Sequence, residues 1–301
     1  MIAGASNTVL ATVTVGSSPT ALCYNPVNNR VYCANVSSGN ISVIDGATNQ
    51  IISTVVADTN PYALCYNSLY NKVYCANYGA DDVIVISGLT NQVLDTVAVG
   101  NMPYALCYNP ASNKVYCADI LADSVTIIDG QSDTVLATVS TGDTPYSLCC
   151  DSANNKVYCA NENSRNVTVI DGTSDSVLTT IGTGDLPLGL CQNPLEARVY
   201  CANSAGSSVS VLSEYHVRVS EAVDGPHSVS SGPSIVRGVL HLSLPSAVGA
   251  RPAGRSTLLD VAGRRVLDLR PGSNSIRGLP PGVYVVHDER SGKTQKVVVL
   301  E

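Results

Sequence analysis

The chain has 301 residues and a net charge of −7, from 17 Lys+Arg against 24 Asp+Glu, with 45% apolar and only 14% charged residues. The length suggests two domains, the apolar share argues against a disordered chain, and no apolar run approaches the roughly 20 residues that span a bilayer as a helix. The acidic balance argues against a nucleic-acid binder, which needs a basic face.

Charge and chemistry are unevenly placed. Residues 1–214 hold 6 Lys+Arg and 17 Asp+Glu, whereas residues 215–301 hold 11 and 7. All 11 Cys precede residue 202, and all four His follow residue 214. A domain boundary is expected near residue 215.

The chain opens on a strand-like run, Val9–Val15. A repeat of 42 residues follows, marked by Pro19, Pro61, Pro103, Pro145 and Pro187. Cys23, Cys65, Cys107, Cys149 and Cys191 keep that step, as do Cys33, Cys75, Cys117, Cys159 and Cys201. Cys150 alone falls outside the scheme. Each unit reads as four short strands, a to d. In the third copy these are Tyr104–Tyr108, Lys114–Ala118, Val125–Ile128 and Thr134–Val139. β-Branched and aromatic residues favour strand, and Asn-Pro and Asp-Gly place the turns. Four strands in about 42 residues predict a β-propeller blade, whose two faces are buried only against neighbouring blades. The fold class expected is therefore all-β: a five-bladed propeller over 1–214, with Val9–Val15 supplying the fourth strand of the last blade and closing the ring. Val217–Val223 is an alternative source of that strand.

Residues 215–233 read as a linker ending in a Ser/Gly/Pro cluster. Six strands then follow, at Ile235–Leu242, Ser256–Val261, Arg264–Asp268, Asn274–Arg277, Gly282–His287 and Gln295–Val299. Short strands separated by Gly-containing turns predict a small immunoglobulin-like β-sandwich over 234–301.

Two resemblances emerge from these residues. NKVYCAN (71–77), VIDG (43–46) and TVxVGxxP (12–19 and 96–103) resemble the YVTN-type β-propeller repeat, with Cys where the family has Val. That likeness runs over 8–213 and implies an extracytoplasmic binding or surface module. Leu259-Asp260-x-x-Gly263-Arg264-x-Val266, Leu279-Pro280-x-Gly282-Val283-Tyr284 and the terminal Lys296–Val299 resemble a type IX secretion C-terminal sorting domain. This likeness implies passage through the type IX machinery to the outer surface of a Gram-negative-type bacterium, or release from it, usually with cleavage of the domain. The opening MIAGASNTVLATVTVG has neither the basic nor the apolar region of an export signal.

The search for chemistry gives no catalytic constellation. Residues 1–214 hold no His, so a Ser-His-Asp arrangement there is excluded, and C-x-x-C-H is absent. Asp45, Asp129 and Asp171 precede Gly and read as turn formers, and one Asp per turn makes no Ca²⁺ site. No metal or cofactor is expected. The cysteine pairs lie ten residues apart, outside zinc spacing. They read as disulfides of an exported protein or as core thiols, and the hairpin register decides. The loops joining strands b and c vary most: VSSGN, YGADD, ILADS, ENSRN and SAGSS. Variable loops on a rigid scaffold point to recognition at that end. It gathers Tyr62, Tyr104 and Tyr146 with Asn35, Asn77, Asp119, Asn161 and Asn203. The expected function is a secreted or surface binding or structural module for a protein or glycan ligand. The alternative is an extracellular hydrolase or lyase, which would need convergent, buried carboxylates at the same end.

Overall fold

The computed structural model describes residues 8–213 without a break, and beyond them 234–236, 239–242, 256–260, 264–269, 272–275, 279, 282–288 and 294–299. The chain divides into two compact units, Met1–Glu214 and Tyr215–Glu301. No helix among the described residues is long and apolar enough to cross a membrane.

The first unit is five antiparallel sheets in chain order. Blade 1 is β1 (Pro19–Asn25), β2 (Arg30–Asn35), β3 (Asn40–Asp45) and β4 (Ile51–Val56). Blade 2 is β5 (Pro61–Asn67), β6 (Lys72–Asn77), β7 (Asp82–Ser87) and β8 (Val93–Ala98). Blade 3 is β9 (Pro103–Asn109), β10 (Lys114–Asp119), β11 (Ser124–Asp129) and β12 (Val135–Ser140). Blade 4 is β13 (Pro145–Asp151), β14 (Lys156–Asn161), β15 (Asn166–Asp171) and β16 (Ser176–Gly182). Blade 5 is β17 (Pro187–Asn193), β18 (Arg198–Asn203) and β19 (Ser208–Ser213). The first strands pack against one another in sequence, β1 on β5, β5 on β9, β9 on β13 and β13 on β17.

The turns form because their residues supply the backbone's missing partners. Asn67 Oδ1 accepts the Leu69 and Tyr70 amides at 2.9 and 3.1 Å. Asp129 Oδ1 accepts the Gln131 and Ser132 amides at 3.0 and 2.7 Å. These amides hold the Asp129 carboxyl below its usual range, and the same holds for Asp45 and Asp171, so all three are turn formers. The turns also need left-handed residues, met by Asn71, Asn113 and Asn155 at φ 50, 52 and 50°. Asn and Asp tolerate that region better than other side-chain-bearing residues. A methyl at Gly130 would collide with the side chains of Asn67 and Asn113, so the turn admits only Gly there.

Both faces of each inner blade are apolar because each is sandwiched. One cluster joins Cys23, Tyr32, Ile41, Val43 and Val55 of blade 1 to Val73, Cys75, Ile84 and Ile86 of blade 2. The same positions recur at the next joint as Cys65, Tyr74, Val83, Val85 and Val97 against Val115, Cys117 and Ile128. Burying a side chain of this size contributes about 1.5–3 kcal/mol, so each joint is a principal source of stability.

The expected closing strand is not formed. Among the described residues the fifth sheet holds only β17, β18 and β19. Residues 9–15 instead share a cleft with Leu22, Val31, Cys33 and Ile44 of blade 1. The chain passes from them through Gly16–Ser18 straight into β1, which tethers them to blade 1. Joining the fifth sheet would require blade 5 to come round to that side.

The second unit contains β20 (Ser234–Val236), β21 (Val239–Leu242), β22 (Ser256–Asp260), β23 (Arg265–Leu269), β24 (Gly272–Ser275), β25 (Gly282–Asp288) and β26 (Thr294–Val299). They make a five-stranded sheet, β20-β26-β25-β22-β23, and a two-stranded one, β21-β24. Leu258, Leu269 and Tyr284 are buried. The expected linker, 215–233, lies outside the described residues.

Candidate binding site at the tyrosine end

Tyr62, Tyr104 and Tyr146 sit second in β5, β9 and β13, so the strand-on-strand packing brings them side by side. Ring centroids are 4.4 Å apart for Tyr62–Tyr104 and 4.6 Å for Tyr104–Tyr146. The Tyr62 hydroxyl donates to Tyr104 at 2.8 Å, and Tyr104 donates to Tyr146 at 2.7 Å. Burial raises the Tyr104 hydroxyl well above its ordinary range, and the bonds to Tyr146 and Tyr62 raise it further. It is a neutral relay rather than an acid. A hydroxyl donates once, so Tyr146 keeps its own proton to offer outward. On blade 1 the row continues as Thr20, which donates to the Tyr62 carbonyl at 3.3 Å. Blade 5 ends it with Leu188.

Tyr78 joins the row, with its ring 5.8 Å from Tyr62 and 6.2 Å from Tyr104, edge-on to the latter. Sequence reasoning missed it. Its signal was being the one aromatic residue in the five variable b–c loops. The four rings are half-buried. They offer apolar faces and hydroxyl edges together, the combination that suits Tyr to interfaces.

The five polar residues expected beside them are placed differently. Asn35, Asn77, Asp119, Asn161 and Asn203 are buried at the ends of the second strands. Asn35 donates to Asn40 at 2.8 Å and to Ser42 at 3.0 Å, and Asn161 donates to Asn166 and Thr168 at 2.7 and 2.8 Å. Asn77 donates to Asp82 at 2.6 Å, and Asn203 to Ser208 and Ser210 at 3.0 and 2.9 Å. They clip the second strand to the third. Asp119 is the exception in charge. It accepts from Thr126 at 2.6 Å through one oxygen, while its other oxygen is buried with no partner. Burial pushes its carboxyl up to about 6.

Carboxylates of the loops serve those loops. Asp81 accepts the Met102 amide at 2.8 Å, and Asp123 the Thr144 amide at 2.9 Å. Among the described residues no group of three or more His, Cys, Asp or Glu is arranged for a metal ion.

Known proteins place this architecture. No family model matches the sequence, and no curated protein matches it either. Solved structures do. A hydrazine synthase of Kuenenia stuttgartiensis superposes with a TM-score of 0.57 at 18% identity over 64% of this chain and 58% of that one. A putative 6-phosphogluconolactonase of Bacteroides uniformis gives 0.57 at 14% identity, over 67% and 68%. A chain of a mitotic checkpoint complex gives 0.60 at 16% identity, over 68% and 65%. The fold is a β-propeller. At these identities the likeness shows the fold alone, and propellers host many functions.

The opposite end of the propeller holds ties between blades. Lys72 pairs with Asp133 of the next blade at 2.6 Å, and Tyr74 donates to the same carboxylate at 2.6 Å. Lys114 repeats this with Asp175 at 2.7 Å. On blade 1, Arg30 and Tyr32 reach Asn91 at 3.0 and 2.8 Å. Amide pairs accompany them: Asn25 to Asn71 at 2.7 Å, Asn67 to Asn113 at 3.0 Å, and Asn109 to Asn155 at 2.8 Å.

The cysteines are all free thiols. The register explains why. Leu22 pairs with Cys33 and Cys23 with Tyr32, so Cys23 and Cys33 are one position out of step and face opposite sides of the blade. The same offset separates Cys65 from Cys75, Cys107 from Cys117, Cys149 from Cys159 and Cys191 from Cys201. Of the two readings left open, the within-blade disulfides are therefore not made. Cysteines of adjacent blades share an apolar cluster at the joint instead, Cys23 with Cys75 and Cys65 with Cys117. Burial raises the Cys23 thiol to about 11, which leaves it protonated and inert at neutral pH.

Of the residues resembling a sorting motif, Tyr284 is buried, and Leu259, Val266 and Leu279 are half-buried. Gly282 opens β25, and Asp260 and Lys296 lie on β22 and β26. Gly263 lies outside the described residues.

Proposed function

We propose that this protein is a secreted or surface-displayed binding module: a YVTN-type propeller that carries the recognition surface, and a C-terminal unit that addresses it to the type IX secretion route. The observation that carries the binding role is the Tyr62–Tyr104–Tyr146 row with Tyr78. The rings are half-exposed, rigidly packed and joined by hydroxyl bonds, so contact orders few further side-chain torsions. The ligand class that fits is a protein loop or a glycan, each presenting apolar patches beside hydroxyls or amides. The motif residues Leu259, Asp260, Gly263, Val266, Leu279, Gly282, Tyr284 and Lys296 support the export role.

The test of binding replaces Tyr62, Tyr104 and Tyr146 by Ala and compares glycan-array and peptide-array profiles with the native chain. Loss of the native signals is expected, and an unchanged profile rejects the row as the contact surface. Export is tested by fractionating cells that express the chain with and without residues 234–301. The shortened chain should stay inside the cell. Its arrival at the surface would reject the address.

A further inference from the structure

Cys150 is the one cysteine without a counterpart in the other blades. It stands sixth in β13, where β5 and β9 carry Tyr66 and Tyr108. Those tyrosines pack on the blade before them: Tyr66 lies against the cluster that holds Cys23, and Tyr108 against the one that holds Cys65. The first two joints therefore bring a Cys and a Tyr together. At the third joint the same two positions are Cys107 and Cys150, and at the fourth they are Cys149 and Gln192. Only the third joint brings two thiols together at this place.

Strand register shows that the two side chains face each other. Cys107 pairs with Tyr116 across β9 and β10, and directly paired residues point to the same side of a sheet. Cys150 pairs with Val157 across β13 and β14 and shares its side. Tyr116 and Val157 belong to one cluster, which fills the joint between blades 3 and 4. Both cysteines thus point into that joint, from β9 and β13, which pack on each other. Their thiols interact directly, and each is the first influence on the titration of the other. The contact holds the Cys150 thiol below its ordinary range and lifts that of Cys107 above it. Neither is sealed off: Cys107 and Cys150 are half-buried, whereas Cys117 and Cys159 of the same two blades are fully buried.

We propose that Cys107 and Cys150 form a redox-active pair, which a small-molecule disulfide oxidises to a bridge between blades 3 and 4. The Cys150 thiolate attacks one sulfur of the oxidant, whose S–S bond breaks and whose other half leaves as a thiolate. Cys107 then gives its proton to solvent and attacks the Cys150 sulfur of the mixed disulfide. That bond breaks in turn, the Cys107–Cys150 bond forms, and the second half of the oxidant leaves as a thiolate. The two cysteines lose two electrons and two protons, and the oxidant gains them as two thiols. Cys150 is the first attacker because reactivity follows thiolate character and access. The bridge would tie together the two strands that carry Tyr104 and Tyr146.

Mass spectrometry of the full chain tests this. The reduced, folded protein is exposed to oxidised glutathione, its remaining thiols are capped with N-ethylmaleimide in denaturant, and it is cut with trypsin. Lys72, Lys114 and Lys156 bound the peptides 73–114 and 115–156. These should appear joined, lighter by two hydrogens than their sum, with fragmentation placing the link at Cys107 and Cys150. Dithiothreitol should separate them. Cys107→Ser should instead retain glutathione on Cys150. Cys150→Tyr restores the residue of the sister joints, so it should fold, as far-UV circular dichroism verifies, and give no link. Absence of the link in the native chain overturns the proposal. So does a link from Cys150 to Cys149 or Cys191, or a joined pair of peptides that persists in Cys107→Ser or in folded Cys150→Tyr.

Discussion

The two ends of the blades solve different problems with the same repeat. At the turn end, a repeated set of ties runs from one blade to the next: Lys72 to Asp133, Lys114 to Asp175, and Asn to Asn at the first three joints. These groups are largely buried, and the copies stay alike. At the loop end the loops diverge, the bonds are Tyr hydroxyls, and the rings stay half-exposed. A repeated position that keeps its partner holds the scaffold together. A repeated position with a free face is available for recognition. The comparison also separates joints. At the last one, Asp151 and Ala197 stand where the others pair two Asn, so that amide tie is lost from both sides.

The strongest way to break the turn end is Lys72→Met. It strands the Asp133 carboxylate, whose side chain is only 9% exposed. Removing one partner of a buried pair costs about 3–5 kcal/mol, so a large fall in denaturation midpoint is expected. A change under about 1 kcal/mol would show that the pair is screened like a surface one.

Asp119→Asn should act in the opposite direction. Burial lifts this carboxyl to about 6, above its unfolded value, so the fold favours the protonated form. Its contribution is intact below about pH 4 and is lost as pH rises through about 6. The four sister blades carry Asn here, and Asn35, Asn77 and Asn161 find partners for both side-chain atoms. The variant should therefore be more stable by up to about 3 kcal/mol at pH 8 and little changed at pH 4. Equal gains at both pH values would assign the effect to packing rather than charge.

A smaller effect sharpens the contrast among joints. Ala197 holds φ 47°, in the region its sister turns fill with Asn. Left-handed backbone costs a residue with a Cβ about 1–2 kcal/mol, so Ala197→Gly should raise the melting temperature by a few degrees. No gain would mean that the turn relaxes at no cost.

Much of this was legible before any coordinates. A 42-residue period with Asn-Pro and Asp-Gly turns specified strands, blades and their order. The composition break fell near residue 215, and the second unit begins at that same point. Three things were hidden. The face of each Cys depended on a one-residue offset between paired strands, which loop length alone leaves open. The buried state of Asn35 and its sisters depended on partners five and seven residues away across a hairpin. The fourth strand of blade 5 was inferred from a matching sequence, but the tether at Gly16–Ser18 keeps Val9–Val15 against blade 1. The Tyr row was readable because its members share one repeat position, whereas Tyr78 comes from a loop and breaks that pattern.

The central claim is that the ties at the turn end add to the stability of the joints, while the proposed recognition surface lies apart from them at the tyrosine end. Parallel thermal melts and glycan- and peptide-array profiles of two variants test it most directly. The folded Lys72→Met protein should melt far below the native chain yet keep its binding profile. The Tyr62→Ala, Tyr104→Ala, Tyr146→Ala protein should lose that profile with a smaller fall in melting temperature. Binding retained by the tyrosine variant, or lost by folded Lys72→Met, would contradict the division.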